Sequence, residues 1–435
     1  MPESNLGFDT LKVRGGYNPA EHNQAVSVPI YQSTAFELGN TERAARLFSF
    51  TDPDPIYTRL SNPTTAVLEE RVALLDGAAG AVALGSGMAA VTYSLLNAAG
   101  KDGRILSTTR LYGGSVDSFD KILPDFGITV DFVEDADDPE SFEKSIYPDT
   151  KAVYVEAVSN PNSTVADLEA IAQVAHRHGI PLIVDNTLAT PYLLNPIRFG
   201  ADVVVYSATK ALSGHGNVIA GLVLESGKFN WANGKYPQFT KPLYFLRDAE
   251  DRERSILEVF PETPFTGRIR AIYLNYLGAA LSPFDAYLVL IGLETLSERL
   301  AKQVSNAEKL IRYLESRKDH VLWVKHPYAR NSPYRELAKK YLPKGAGYVF
   351  TFGFNGTPKQ YEKFLNSVKL FSYHANIGDA RSIIINSPTT THAELTPEQR
   401  KQADLAPETI RISAGLEDAD DLIADLGQAF EKAYQ

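Results

Sequence analysis

The sequence contains no cysteine. That excludes disulfides, thiolate metal ligands and a cysteine nucleophile together, and it suits a reducing compartment. Positive charge is also short: 43 Lys and Arg stand against 53 Asp and Glu, a formal net charge of −10. A surface of that sign repels a phosphate backbone, so no nucleic-acid partner is expected. A small anion would need a locally basic pocket. No apolar run approaches the ~20 residues of a membrane helix, and the first residues carry no apolar stretch of signal-peptide type. The expectation is a soluble, cytoplasmic protein with no membrane partner.

What is present is globular. A hydrophobic share of 44% and a charged share of 22% exclude a disordered chain. At 435 residues the chain is too long for one ordinary core. Residues 1–60 show little helical periodicity and are rich in Pro, Asn and Tyr. Their aromatic residues Tyr31, Phe36, Phe48, Phe50 and Tyr57 argue for an arm packed on something, such as a partner subunit, over a loose tail. Asn62-Pro63 reads as a helix N-cap with proline at the first helical position, and Gly77 as the stop. Short apolar runs then alternate with helix-like segments. Residues 81–84, 104–107, 129–133, 152–156, 181–185, 202–206 and 219–224 read as strands, and 167–178 as a helix. This alternation predicts an α/β fold with a mostly parallel sheet flanked by helices. After an aromatic excursion over 227–270, the pattern across 282–318 predicts a helix leading into a smaller C-terminal α/β domain. That part holds candidate strands at 348–354, 382–386 and 409–413 and a helix over 418–434. The expected division is an arm (1–60), a large domain (61–280) and a small domain (281–435).

The candidate chemistry sits at strand ends, where open α/β sheets gather functional groups. Ser207-Ala208-Thr209-Lys210 follows the strand 202–206. Its hydroxyls suit a phosphate, and its amine can condense with an aldehyde. The apolar run 181–184 ends in Asp185, a carboxylate able to pair with a protonated pyridine nitrogen and keep the ring an electron sink. Gly85-Ser86-Gly87-Met88 opens a helix whose backbone N–H groups form an anion seat. Tyr112, before Gly113-Gly114, offers a stacking ring. Asn160, in the run Glu156-Ala157-Val158-Ser159-Asn160-Pro161, could donate to a phenolic oxygen. Each alone also fits an ordinary turn, cap or surface residue. Together they supply a phosphate cradle, a stacking ring, an acid and an amine.

These residues, with Tyr57-Thr58-Arg59, Asn62-Pro63-Thr64, Ser282-Pro283-Phe284-Asp285-Ala286, Gly292-Leu293-Glu294-Thr295-Leu296 and Thr409-Ile410-Arg411-Ile412-Ser413, resemble the Cys/Met-metabolism pyridoxal-phosphate enzymes of fold type I. The resemblance spans nearly the whole chain. It implies pyridoxal 5′-phosphate as cofactor, Lys210 as its Schiff-base lysine and mobile base, Asp185 as the pyridinium partner and Tyr112 as the stacking ring. Tyr112 is also implied as a candidate to deprotonate the incoming amine. Ser86, Gly87, Met88, Ser207 and Thr209 become the phosphate cradle, and Asn160 the contact to the ring oxygen. Tyr57 and Arg59 become residues reaching a neighbouring subunit's site, with Tyr57 also near substrate. Arg411 becomes the clamp for the substrate α-carboxylate, helped by Ser382. A homo-oligomer follows, at least a dimer and by family habit a tetramer.

Within the family, Ser372-Tyr373-His374-Ala375-Asn376-Ile377-Gly378-Asp379-Ala380-Arg381-Ser382, followed by Thr389-Thr390-Thr391-His392, is similar to the O-acetylhomoserine sulfhydrylases. That subgroup implies exchange of the acetyl ester of homoserine for sulfide or a thiol. Cystathionine synthases and lyases and methionine γ-lyases are the alternatives within the family. The last typically place a cysteine where this chain has Gly114. An inactive scaffold serving as a sulfur carrier or regulatory binder is the non-enzymatic alternative, which intact Lys210, Asp185 and Arg411 oppose. A nicotinamide dehydrogenase would need a third glycine that this turn lacks. His374 and His392 read as structural or rim residues, and no metal is expected.

Overall fold

The computed structural model describes residues 6–435 apart from Ala249, His392, Glu394, Leu395 and the side chain of Gln402. The first five residues of the arm and His392 therefore lie outside the described residues. The helix Pro63–Asp76 begins and ends where its punctuation predicts. The Asn62 side chain accepts from the Thr64 N–H, and Gly77 adopts the left-handed conformation (φ 68°).

Seven strands then form one sheet: β1 (Gly80–Leu84), β2 (Arg104–Ser107), β3 (Thr129–Phe132), β4 (Thr150–Glu156), β5 (Leu182–Asp185), β6 (Val203–Ser207) and β7 (Gly221–Glu225). Their order is β1-β7-β6-β5-β4-β2-β3. The pairs from β6 to β3 are all parallel, whereas β7 runs antiparallel to both β6 and β1. The central strands are buried on both faces, as a helix-covered sheet requires. Side chains such as Val153, Ile183, Val184 and Val204 are fully buried, each stabilising the fold by about 1.5–3 kcal/mol. The expected mostly parallel sheet is present, with one reversed strand.

The aromatic excursion holds a small hairpin, β8 (Leu243–Arg247) and β9 (Glu253–Arg254), and short helical turns. Its Trp231 stacks on Phe265 (centroids 5.0 Å) and contacts Phe239 (4.7 Å) in a buried cluster. A second sheet follows: β10 (Val321–Lys325), β11 (Val349–Phe354), β12 (Ile383–Ile385) and β13 (Thr409–Ser413). Its order is β10-β11-β13-β12 and every pairing is antiparallel. The helices Leu296–Ser316 and Ala419–Tyr434 bury one face on it through Leu310, Ile311, Leu422 and Leu426.

Two expectations change. The single helix over 282–318 is two, Pro283–Glu294 and Leu296–Ser316, broken at Thr295 (φ −118°, ψ 18°). The apolar pattern runs across the break because both halves face the same core. The arm is not wholly irregular: it carries the helices Phe8–Arg14 and Thr41–Phe48. Both are short, and the second buries only Leu47, too little apolar surface to show as periodicity. Among the described residues no helix is long and apolar enough to cross a membrane.

Candidate active site

Parallel register brings three strand ends side by side. Glu156 pairs with Asp185 across β4 and β5, and Asp185 pairs with Val205 of β6, two residues before Ser207. Past that edge lies a cleft of about 260 Å³. Lys210, Asp185, Tyr112, Asn160 and Arg411 all line it, and so do Ser86, Gly87, Met88, Ser207 and Thr209.

Lys210 sits in the turn after β6, fixed by its N–H to Ser207 O (3.1 Å) and by Gly214 N–H to its own carbonyl (2.8 Å). Its Nζ donates to Asn376 Oδ1 at 3.0 Å. Burial, reinforced by the nearby charge of Arg411, pulls the amine down to about 8. A neutral, nucleophilic amine is thus accessible near physiological pH. Asp185 Oδ1 accepts the Thr187 N–H (2.9 Å) and Oδ2 accepts the Tyr154 hydroxyl (3.3 Å). Burial pushes its carboxyl up, and the bonds from Thr187 and Tyr154 oppose that.

Ser86 caps the helix Gly87–Ala99 by accepting the Ala89 N–H. As at any helix start, the first N–H groups lack partners within the helix and suit an anion. Gly87 is required here by close packing: a Cβ would lie 2.6 Å from Ser207 Cβ. Of the two hydroxyls after β6, that of Thr209 is shared with the backbone of Ala220 (3.0 and 3.2 Å). Gly114 has a similar reason, since a Cβ there would lie 2.6 Å from Tyr112 Cε1. A side chain at 114 would displace the ring.

The second sheet contributes from mid-strand. Arg411 of β13, 3% exposed, donates through Nη1 to Asn160 Oδ1 (2.9 Å) and through Nη2 to Asn376 O (3.2 Å). Burial pulls its guanidinium down to about 10. Its Nε is buried and has no hydrogen-bond partner among the described residues. A carboxylate would supply one. With Asn160 Oδ1 facing Arg411, the Asn160 Nδ2 is left to donate into the cleft.

Ser382, and the residues expected to reach a neighbouring subunit, Tyr57 and Arg59, lie outside this cleft. Ser382 is fully buried, and its Oγ donates to Glu417 Oε2 (2.8 Å) and accepts the Gly415 N–H (2.9 Å). Asn376, six positions earlier, is the residue beside Lys210 and Arg411. Tyr57 and Arg59 are exposed and outside this chain's cleft, the Arg59 guanidinium 5.0 Å from the Tyr57 ring centroid. His374 is exposed, next to Ala375 at the cleft. Among the cleft residues given no role by sequence reasoning are Asn376 and Glu156. Glu156 carried a usable signal, because Val153-Tyr154-Val155-Glu156 has the same apolar-then-carboxylate form as Leu182-Ile183-Val184-Asp185.

A half-buried amine, a strand-end carboxylate, a helix-start anion seat and a guanidinium with an unmet donor fit a phosphorylated pyridine aldehyde and an amino acid together. The chain belongs to the family described as Cys/Met metabolism PLP-dependent enzyme, whose model matches residues 9–431. It is 40% identical to the homocysteine synthase of Schizosaccharomyces pombe, over the full length of both chains. It is 39% identical to O-acetyl-L-homoserine sulfhydrylase 1 of Thermus thermophilus, covering 98% of this chain and 100% of that one. A solved structure from Campylobacter jejuni, a putative O-acetylhomoserine (thiol)-lyase carrying N′-pyridoxyl-lysine-5′-monophosphate, matches with a TM-score of 0.93. That match has 38% identity and covers 98% of this chain and 100% of that one.

Proposed function

We propose that this protein replaces the acetate of O-acetyl-L-homoserine with sulfide, or with a thiol, forming L-homocysteine or a thioether, and acts in methionine and cysteine biosynthesis. The observation that carries this reading is the Lys210 amine beside Asp185 and Arg411 in one cleft. The comparisons with homocysteine synthase and O-acetylhomoserine sulfhydrylases support the substrate. Pyridoxal phosphate, when bound, supplies the electron sink that acidifies the Cα and then the Cβ hydrogens of the amino acid.

The chain's own residues do the rest. Arg411 holds the α-carboxylate with its fork, gaining a partner for Nε. Asp185, at the end of β5, would hold the ring nitrogen of the cofactor and keep it protonated by offering it a negative charge. Tyr112, which lines the cleft, would stack on the ring of the bound cofactor and take a proton from the incoming amine. Lys210 is a base near neutral pH because burial lowers its amine. It takes the proton from Cα and moves protons at Cβ, so that acetate leaves from Cγ with the bonding pair. Sulfide then forms the new C–S bond at Cγ, and the protons removed return to Cβ and Cα. Asn376 receives the Lys210 ammonium between these transfers.

Ser86, Gly87, Met88, Ser207 and Thr209 would hold the phosphate. That seat contains no cation of its own, and Tyr57 and Arg59 of a second copy would supply one, so a dimer is the smallest working unit. Residues 61–280 would form the cofactor-binding domain and 281–435 the small domain, in a cytoplasmic enzyme.

Product analysis tests the assignment. O-acetylhomoserine with sulfide should give homocysteine and acetate, whereas cystathionine and methionine should give little product. Efficient release of a keto acid from methionine or cystathionine, with no sulfide-dependent homocysteine, would overturn it. Lys210→Ala should abolish both the yellow absorbance of the loaded protein and turnover.

A further inference from the structure

Glu156 is 7% exposed at the end of β4. A buried carboxylate is costly unless hydrogen bonds offset its lost hydration. Both oxygens are used. Oε1 accepts the Tyr112 N–H at 2.6 Å and Oε2 accepts the Asn160 N–H at 2.9 Å. The two donors come from different loops, one following β2 and one following β4. The helix Gly113–Lys121 starts directly after Tyr112 and has no side-chain cap of its own, and the Glu156 carboxyl, pushed well up by burial and by the neighbouring Asp185, stands at that helix start. The Asn160 side chain in turn accepts from Arg411. One carboxylate therefore ties the stacking ring to the residue that orients the clamp from the second sheet.

We propose that Glu156 is a positioning residue: its carboxylate sets where Tyr112 and Asn160 stand against the bound cofactor. The inference rests on the cofactor reading of the cleft. The same sheet contains its natural control. Glu225, at the end of β7, is 1% exposed and accepts the N–H groups of Phe265 (3.2 Å) and Thr266 (2.7 Å). Because β7 is reversed, Glu225 pairs with Val203 at the start of β6, on the edge opposite the cleft. Glu156 and Glu225 thus do the same chemical work for the fold, and only one does it beside the cofactor.

The experiment compares Glu156→Ala, Glu156→Gln and Glu225→Gln in the full chain. Pyridoxal phosphate affinity is read by titration, and the ring's setting by the visible circular dichroism of the bound cofactor. Glu156→Gln keeps one acceptor and turns its amide N–H₂ toward the other N–H, so it serves if the alanine variant fails to fold. The Glu156 variants should weaken cofactor binding about tenfold or more and change the visible dichroism, while Glu225→Gln lowers Tm and changes neither. Folded Glu156 variants with unaltered dichroism and affinity would overturn the proposal, as would equal effects from Glu225→Gln. Wild-type protein that binds no cofactor would instead overturn the reading of the cleft.

Discussion

Buried carboxylates line both edges of the large sheet. Glu156, buried at the end of β4, and the half-buried Asp185 at the end of β5 stand at one edge, and the buried Glu225 and Asp202 at the opposite edge. At that opposite edge the bonding closes on itself. Asp202 Oδ2 takes both the His176 Nε2 and the Leu182 N–H at 2.8 Å, and Glu225 caps a helix start. At the cleft edge the set stays open. An amine is pulled down to about 8, and a buried guanidinium Nε has no partner among the described residues. A buried carboxylate is therefore not by itself a functional signal in this fold. Unmet donors and a shifted amine beside it are.

The largest effect should separate the two edges outright. On the proposed pairing of Asp185 with the cofactor nitrogen, Asp185→Asn should lower kcat about a hundredfold or more. Asp202→Asn should lower Tm and leave the kcat of the folded protein within about twofold. Steady-state kinetics on both variants decides, and comparable losses in kcat would erase the distinction. Next, Arg411→Ala should lower kcat/KM about tenfold to a hundredfold, mainly through KM, with the yellow absorbance retained. Arg411→Lys should not restore it, because an ammonium lacks the fork. An unchanged KM would mean that the open donor is not for substrate.

The smallest effect is kinetic. Burial lowers the Lys210 amine, so the protonated form dominates below about 8 and the nucleophilic form above it. Cofactor capture by the cofactor-free protein, followed by visible absorbance, should accelerate about tenfold per pH unit up to that point and then level. A midpoint near the ordinary lysine value would show that the amine is not held in the dry cleft.

Much of the cleft edge was legible because its strands are short apolar runs with a polar residue at the end. Lys210, Asp185, Asn160 and the Ser86 turn all announce themselves that way, and the structure brings them together. The direction of β7 was not legible. Its apolar residues read as a strand, but a run of Leu and Val carries no mark of which way it points. The edge strand β10, whose apolar run Val321 to Val324 is only partly buried, is not among the expected strands. The motif around Ser382 marks it as a substrate contact. Only the three-dimensional course of the loop before β12 shows that Asn376 faces the cleft while Ser382 turns back to Glu417. Glu156 had the right pattern but no evident task, since its partners are backbone N–H groups that a sequence does not display.

The anion seat is walled by two glycines, and this limits how it can be redesigned. A Cβ at Gly87 would strike Ser207, and one at Gly221, held between Leu84 and Ser207 in the sheet, would strike the Ser86 carbonyl. Substitution at either position should disturb the local backbone before it alters cofactor preference. Ile219, two residues before Gly221, is 65% exposed at the mouth of the same cleft. Diversity placed there can reshape what enters while the floor stays intact.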